Sequence, residues 1–246
     1  MRRVGAVILA ALVVAGALAP AASGEDTDPG PRLVVVGDSI ILGARSDVLG
    51  ALAHWDLAFD AEVGRSTAQG LDVLRSLDAG RADIVVVELG ANDAGSAALF
   101  ATRMRAVLDE LADVPQGIWL TVPEIEPYYV DSNALLRAEA EARPGLAVAE
   151  WGVLSQATPG ATADGLHLRA PGREAITDLV VFHVEAARRR LQVEALVVRL
   201  RASAYWLAAR GGGRRGSGAE LAVAHALDAR VEVVDELGAT LDQPVD

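Results

Sequence analysis

The sequence predicts a doubly wound α/β sandwich on a parallel sheet. Three observations predict it. Short runs are apolar at every position and stop at or beside a glycine, helix-spaced segments separate them, and the 246 residues have ordinary globular composition, 52% apolar and 23% charged. A run that is apolar at consecutive positions suits a strand buried on both faces, as between two helical layers.

Arg32 to Val36 is the first such run and stops at Gly37. Ile40 to Trp55 follows with helical spacing through Leu42, Val48, Leu49 and Leu52. Leu57 to Val63 reads as a second, weaker strand, and Thr67 to Leu77 as a helix with Leu71, Leu74 and Leu77 three apart. Asp83 to Leu89 is the clearest strand and ends at Gly90. Ser96 to Leu111 is helical, Gly117 to Val122 a fourth strand, Ser132 to Ala142 a helix and Gly145 to Glu150 a short fifth strand. Arg173 to about Leu191 closes the alternation as a helix introduced by Pro171. Tyr128 and Tyr129 are expected on the loop after the fourth strand, either lining a substrate cleft or serving as simple packing.

The termini read differently. Met1-Arg2-Arg3 precedes the uncharged run Val4 to Ala19, and small residues from Ala21 to Gly24 follow. That order predicts a secretory signal peptide over residues 1–23, with an uncleaved membrane anchor as the alternative; the apolar run of 16 residues is shorter than the ~20 residues a spanning helix needs. It implies a secreted or cell-envelope protein. Residues 24–31 read as a linker and 32–191 as the principal domain. Residues 192–246 are expected as a helical C-terminal extension, into which the arginine-rich stretch from Arg188 continues as helix to Ala209, with a glycine-rich linker at 211–218.

Composition excludes several classes. All 22 basic residues are arginine against 34 acids, a net charge of −12, which is wrong for a protein that displaces counterions from nucleic acid. The absence of cysteine removes disulfides, thiolate metal sites and a cysteine nucleophile. Four histidines leave little for a histidine-rich metal centre, and no cofactor is expected.

In open α/β sheets ligands bind beyond the carboxyl ends of the strands. The first strand ends Gly37-Asp38-Ser39, placing a serine at a helix N-terminus where the exposed amides and the dipole favour negative charge. The same tripeptide also makes good turn and N-cap chemistry. The second ends at Gly64, whose bare backbone can approach a developing oxyanion. The third ends Gly90-Ala91-Asn92-Asp93, which offers the Asn92 amide as donor and Asp93 as a cap for the next helix. Asp164-Gly165-Leu166-His167 precedes the closing helix, and a carboxylate three residues before a histidine can hold one ring nitrogen while the other takes a proton from a serine.

Taken jointly these blocks resemble the SGNH or GDSL hydrolase family, in the expected order over about Arg32 to Leu191, with Ile40 where the family has leucine. The resemblance implies a flavodoxin-like three-layer α/β/α fold with a five-stranded parallel sheet and metal-free ester hydrolysis. It implies Ser39 as nucleophile, His167 as general base and Asp164 as the orienting acid. The Ser39 and Gly64 amides and the Asn92 side chain would form the oxyanion hole. The expected activity is hydrolysis of a short acyl ester, such as an acetyl ester, of a small molecule, glycan or lipid through an acyl-serine. Transfer to a carbohydrate hydroxyl and a non-catalytic envelope-binding module are the alternatives. His54 is read as packing or surface and His183 as a half-buried histidine, while Glu88, Glu124 and Glu126 could mimic a carboxylate pair for glycoside cleavage, although nothing in their spacing demands it.

Overall fold

The computed structural model describes residues 31–211. The expected signal peptide, most of the linker and the segment from 212 onward lie outside the described residues.

Five strands form one parallel sheet: β1 (Arg32–Gly37), β2 (Asp56–Ala61), β3 (Ile84–Glu88), β4 (Gln116–Leu120) and β5 (Leu146–Ala149), in the order β2-β1-β3-β4-β5. This is the flavodoxin-like order, and its reversal of direction falls between β1 and β3. The strands are uniformly apolar because alternate side chains serve opposite layers. Leu33, Val35, Ile84, Val86, Ile118 and Leu120 meet one set of helices, while Val34, Val36, Val85, Val87 and Trp119 meet the other. Leu33 to Val36 are completely buried, and each such side chain contributes roughly 1.5–3 kcal/mol of transfer free energy.

On the first face lie α1 (Ser39–Leu42), α2 (Arg45–Ala51), α6 (Trp151–Ala157) and the long α7 (Ala170–Gly211), through Ile40, Ile41, Val48, Trp151, Ile176, Val180 and Val184. The opposite face is covered by α3 (Thr67–Ser76), α4 (Ala97–Glu110) and α5 (Pro127–Glu141), through Leu71, Leu74, Phe100, Met104, Val107 and Leu136.

The differences from the sequence reading have local causes. The single helix expected over 40–55 is two, broken at Gly43 and Ala44, and it ends at Ala51. α5 starts five residues early because Pro127 occupies its first turn, where a missing N–H costs nothing; Tyr128 and Tyr129 are therefore helical and not in a loop. Helix α6 and a 3₁₀ turn at Ala79–Arg81 were not expected. The closing helix runs on without a break to Gly211, so the expected division between 191 and 192 falls inside α7. Its buried positions Ile176, Val180, Val184 and Ala187 keep helical spacing, whereas Leu196, Val198 and Leu200 beyond them are exposed. Among the described residues no helix is long and apolar enough to cross a membrane.

Candidate active site

The carboxyl ends of β1, β2 and β3 open onto one edge, where turns from each are tied together. Asp38 is the N-cap of α1: its Oδ1 accepts the Ile40 amide at 2.9 Å. This cap lifts Ser39 onto the first helical position, half-buried at the rim. Gly37 has to be glycine, because a Cβ there would lie 2.2 Å from Ile41 Cγ2 and 3.2 Å from Glu88 Oε2.

Across the edge, the segment between α6 and α7 doubles back on itself. Thr162 and Leu168 form an antiparallel bridge, Ala163 N donates to His167 O at 2.8 Å and Arg169 N to Ala161 O at 2.7 Å. Asp164 and His167 stand at the tip of this small hairpin. Asp164 Oδ1 accepts the amides of Leu166 (3.0 Å) and His167 (2.8 Å), and its Oδ2 lies 2.7 Å from His167 Nδ1. Gly165 makes the turn with φ of +93°. The opposite ring nitrogen, Nε2, lies 3.3 Å from Ser39 Oγ. Three expected residues, 128 positions apart at the extreme, are thus in one line.

The electrostatics follow from these contacts. The imidazole hydrogen bond, followed by the two backbone amides, holds the Asp164 carboxyl well below the usual carboxylate range. A carboxylate beside Nδ1 demands a hydrogen on that nitrogen and leaves Nε2 with its lone pair towards Ser39. The pair is open to solvent, with side chains 55% and 53% exposed.

Asn92 approaches from the end of β3. Its Nδ2 donates to Asp38 Oδ2 at 2.8 Å and to the Arg65 carbonyl at 3.3 Å. The two bonds tie the amide to the cap of α1 and to the β2–α3 turn. Gly64 lies in the exposed β2–α3 turn with φ of +76°, a conformation that L side chains rarely adopt. Its neighbour Arg65 is buried, and Nη1 donates to the carbonyls of Gly37 (3.0 Å) and Asp60 (2.9 Å) while Nη2 pairs with Asp60 Oδ1. Arg65 therefore clamps the exit of β2 onto the exit of β1.

Asp93 does not cap the next helix. Ser96 does, by accepting the Leu99 amide, while Asp93 accepts the Thr67 amide and hydroxyl and pairs with Arg103. Buried Asp93 thus steadies the start of α3, where Ser66 and Gln69 form a capping box. Of the side chains set aside, His54 lies against Trp55 with Nε2 3.5 Å from Glu185 Oε1, and Glu124 accepts from Asn133. Glu88 is different: it is fully buried directly beneath the Ser39 turn. The sequence reading passed over Arg65 and set Glu88 aside. Among the described residues no cluster of three or more His, Asp or Glu is arranged to hold a metal ion.

No family model matches the chain, and no curated protein matches it. Solved structures do. The C-terminal catalytic domain of Streptococcus pneumoniae peptidoglycan O-acetyltransferase A superposes with a TM-score of 0.56 at 18% identity, covering 65% of this chain and 95% of that one. A GDSL-like lipase from Bacteroides thetaiotaomicron gives 0.53 at 17% identity over 65% and 89% of the two chains. A lipolytic protein of the G-D-S-L family from Veillonella parvula gives 0.52 at 13% identity over 61% and 96%. The parallel sheet, its strand order and these superpositions agree: this chain has the SGNH hydrolase fold.

Proposed function

We propose that the protein is a serine esterase that removes an acyl group from an oxygen ester through an acyl-serine intermediate. The observation that carries this reading is the line of contacts from Asp164 Oδ2 to His167 Nδ1 and from His167 Nε2 to Ser39 Oγ. Ser39 is the nucleophile, His167 the general base and Asp164 the residue that holds the imidazole tautomer. The Ser39 Oγ–carbon bond forms as the hydroxyl proton passes to Nε2, and the tetrahedral oxyanion is received by the Ser39 and Gly64 amides and by Asn92 Nδ2. Collapse breaks the ester C–O bond, and the imidazolium returns its proton to the departing alcohol. Water then repeats the sequence on the acyl-serine, releasing the acid and regenerating the hydroxyl.

The Ser39–His167 separation is long for a working hydrogen bond, as is common before substrate closes the site. The open setting of Asp164 and His167 supports a short acyl group on a bulky alcohol, such as an acetyl ester of a glycan. Likeness to an O-acetyltransferase domain, with the same openness, favours transfer to a carbohydrate hydroxyl as the second reading. The basic, apolar and small-residue order of residues 1–23 supports export, and N-terminal sequencing of the extracellular protein tests it.

The deciding experiment combines p-nitrophenyl acetate turnover with mass spectrometry after a phosphonate or sulfonyl fluoride. Turnover that favours acetate over longer acyl chains, and a single adduct on the Ser39 peptide, are expected. Inertness towards all acyl esters together with no adduct at Ser39 rejects the reading. Adding a glycan acceptor and identifying the products separates hydrolysis from transfer.

A further inference from the structure

We propose that Glu88 is a positioning residue for the nucleophile: its buried carboxyl fixes the Asp38 and Ile41 amides on either side of Ser39 and keeps the Ser39 amide free for an oxyanion. The proposal rests on the esterase reading of the site and deepens it.

The geometry is specific. Glu88 closes β3, is fully buried, and reaches sideways under the exit of β1. Its Oε2 accepts the amides of Asp38 and Ile41, each at 3.2 Å, and its backbone carbonyl accepts the Asp38 amide at 3.1 Å. Asp38 Oδ1 takes the Ile40 amide. Of the four amides from 38 to 41 at the head of α1, three are committed to these oxygens. Among the described residues, Ser39 N is the one left over. A four-residue helix has little stability of its own, so these carboxyl contacts hold it in register with Ser39.

The charge state follows from what surrounds the group. Asp38 faces Glu88 from β1, while the guanidinium of Arg65 is spent on the Gly37 and Asp60 carbonyls and on Asp60 and Glu62. His167 acts on Asp38 from the hairpin. No cation is bonded to Glu88, and its Oε1 has no hydrogen-bond partner among the described residues. Burial, and then the adjacent Asp38 carboxylate, raise Glu88 well above the usual range. A neutral acid presents a carbonyl-like oxygen to the two amides. It also adds no second negative charge near the place where the substrate oxyanion develops, so ionisation would oppose the reaction.

Three proteins test this: wild type, Glu88→Gln, which copies a neutral acid, and Glu88→Ala. With p-nitrophenyl acetate, the glutamine variant is expected to keep kcat within about three-fold, whereas alanine lowers kcat by about ten-fold or more with KM little changed. Equal losses in both variants, or unchanged kcat in alanine, overturn the proposal. The second arm needs no activity: urea midpoints of wild type and Glu88→Gln from pH 5 to pH 8. Because the folded state keeps a proton that the unfolded chain releases, wild type is expected to lose stability relative to glutamine as pH rises. A difference that does not change with pH overturns the proposal, even where alanine fails to fold. Wild type that hydrolyses no ester, with a pH-dependent difference intact, counts against the esterase reading and leaves the buried proton in place.

Discussion

Asn92 Nδ2 and Asp38 Oδ2 lie 2.8 Å apart, so one hydrogen bond joins the exit of β3 to the cap of α1, the helix that begins at Ser39. The same Asp38 side chain caps α1 through its other oxygen. The Asn92 amide and the turn that carries Ser39 are therefore placed by a single carboxylate.

Replacing Asn92 with alanine removes the donor and leaves one Asp38 oxygen without its partner. Loss of one oxyanion donor costs about 10²–10³-fold in kcat, and KM should change little because the bond strengthens only in the transition state. Steady-state kinetics on p-nitrophenyl acetate measure this. A kcat within two-fold of wild type would remove Asn92 from the oxyanion hole.

Asp164→Asn separates orientation from charge. An asparagine oxygen can still accept the Leu166 and His167 amides, so the hairpin tip should persist. The amide nitrogen, however, would face Nδ1 and force the imidazole hydrogen onto Nε2, where a base needs a lone pair. The expected loss in kcat is about 10³–10⁴-fold at neutral pH with unchanged circular dichroism and thermal midpoint. Retained activity would show that Asp164 does not set the tautomer.

The acid limb of the rate profile reports how many groups must lose a proton. His167 has to be neutral to act as base, whereas the hydrogen bond from its own ring keeps Asp164 ionised far into acid. A carboxyl with a depressed folded pKa keeps its interaction above the ordinary carboxylate range and loses it only as pH falls through the lowered value. Asp164 therefore stays ionised across the working range, and log kcat/KM is expected to fall with a slope of no more than one on the acid side. A slope of two would mean that Asp164 gains its proton in the same range.

Much of this was legible because strands buried on both faces leave an unbroken apolar run and ligand sites cluster where such runs stop. Val34 to Gly37 and Val85 to Gly90 mark two strand ends without reference to any contact. What was not legible depends on partners distant in the chain. Glu88 reads as one of three acids whose spacing demands no role, and only the sheet order, which sets β3 beside β1, turns it towards Asp38. Arg65 was likewise invisible, since its acceptors are the Gly37 carbonyl from one strand and Asp60 from another. Asp93 had the composition of a cap for α4 yet serves α3, because Ser96 lies closer to the helix start. The signal at Pro127 was local and available: proline in a first turn marks a helix start, placing Tyr128 and Tyr129 on α5, where Tyr129 donates to the Ala91 carbonyl at 3.1 Å.

Two helical glycines give opposed expectations from the same substitution. Glycine to alanine inside a helix ordinarily stabilises by about 0.8–1 kcal/mol, since alanine has less backbone freedom to lose. Gly50, in α2, has nothing within 4 Å of where a Cβ would stand, so Gly50→Ala is expected to raise the thermal midpoint and leave kcat alone. Gly172, in the first turn of α7, is different: its Cβ would lie 2.1 Å from the Ala161 carbonyl oxygen and 2.8 Å from that carbonyl carbon. These are backbone atoms with no flexible end to swing aside, and the same oxygen accepts Arg169 N to close the hairpin. Gly172→Ala must therefore push the hairpin base off α7, at a cost of about 1–3 kcal/mol typical of overpacking. Because Asp164 and His167 ride on that hairpin, kcat should fall with the midpoint, since small misplacements of a catalytic group are costly. A Gly172→Ala protein with wild-type midpoint and kcat would mean that the hairpin is not seated on α7 as described.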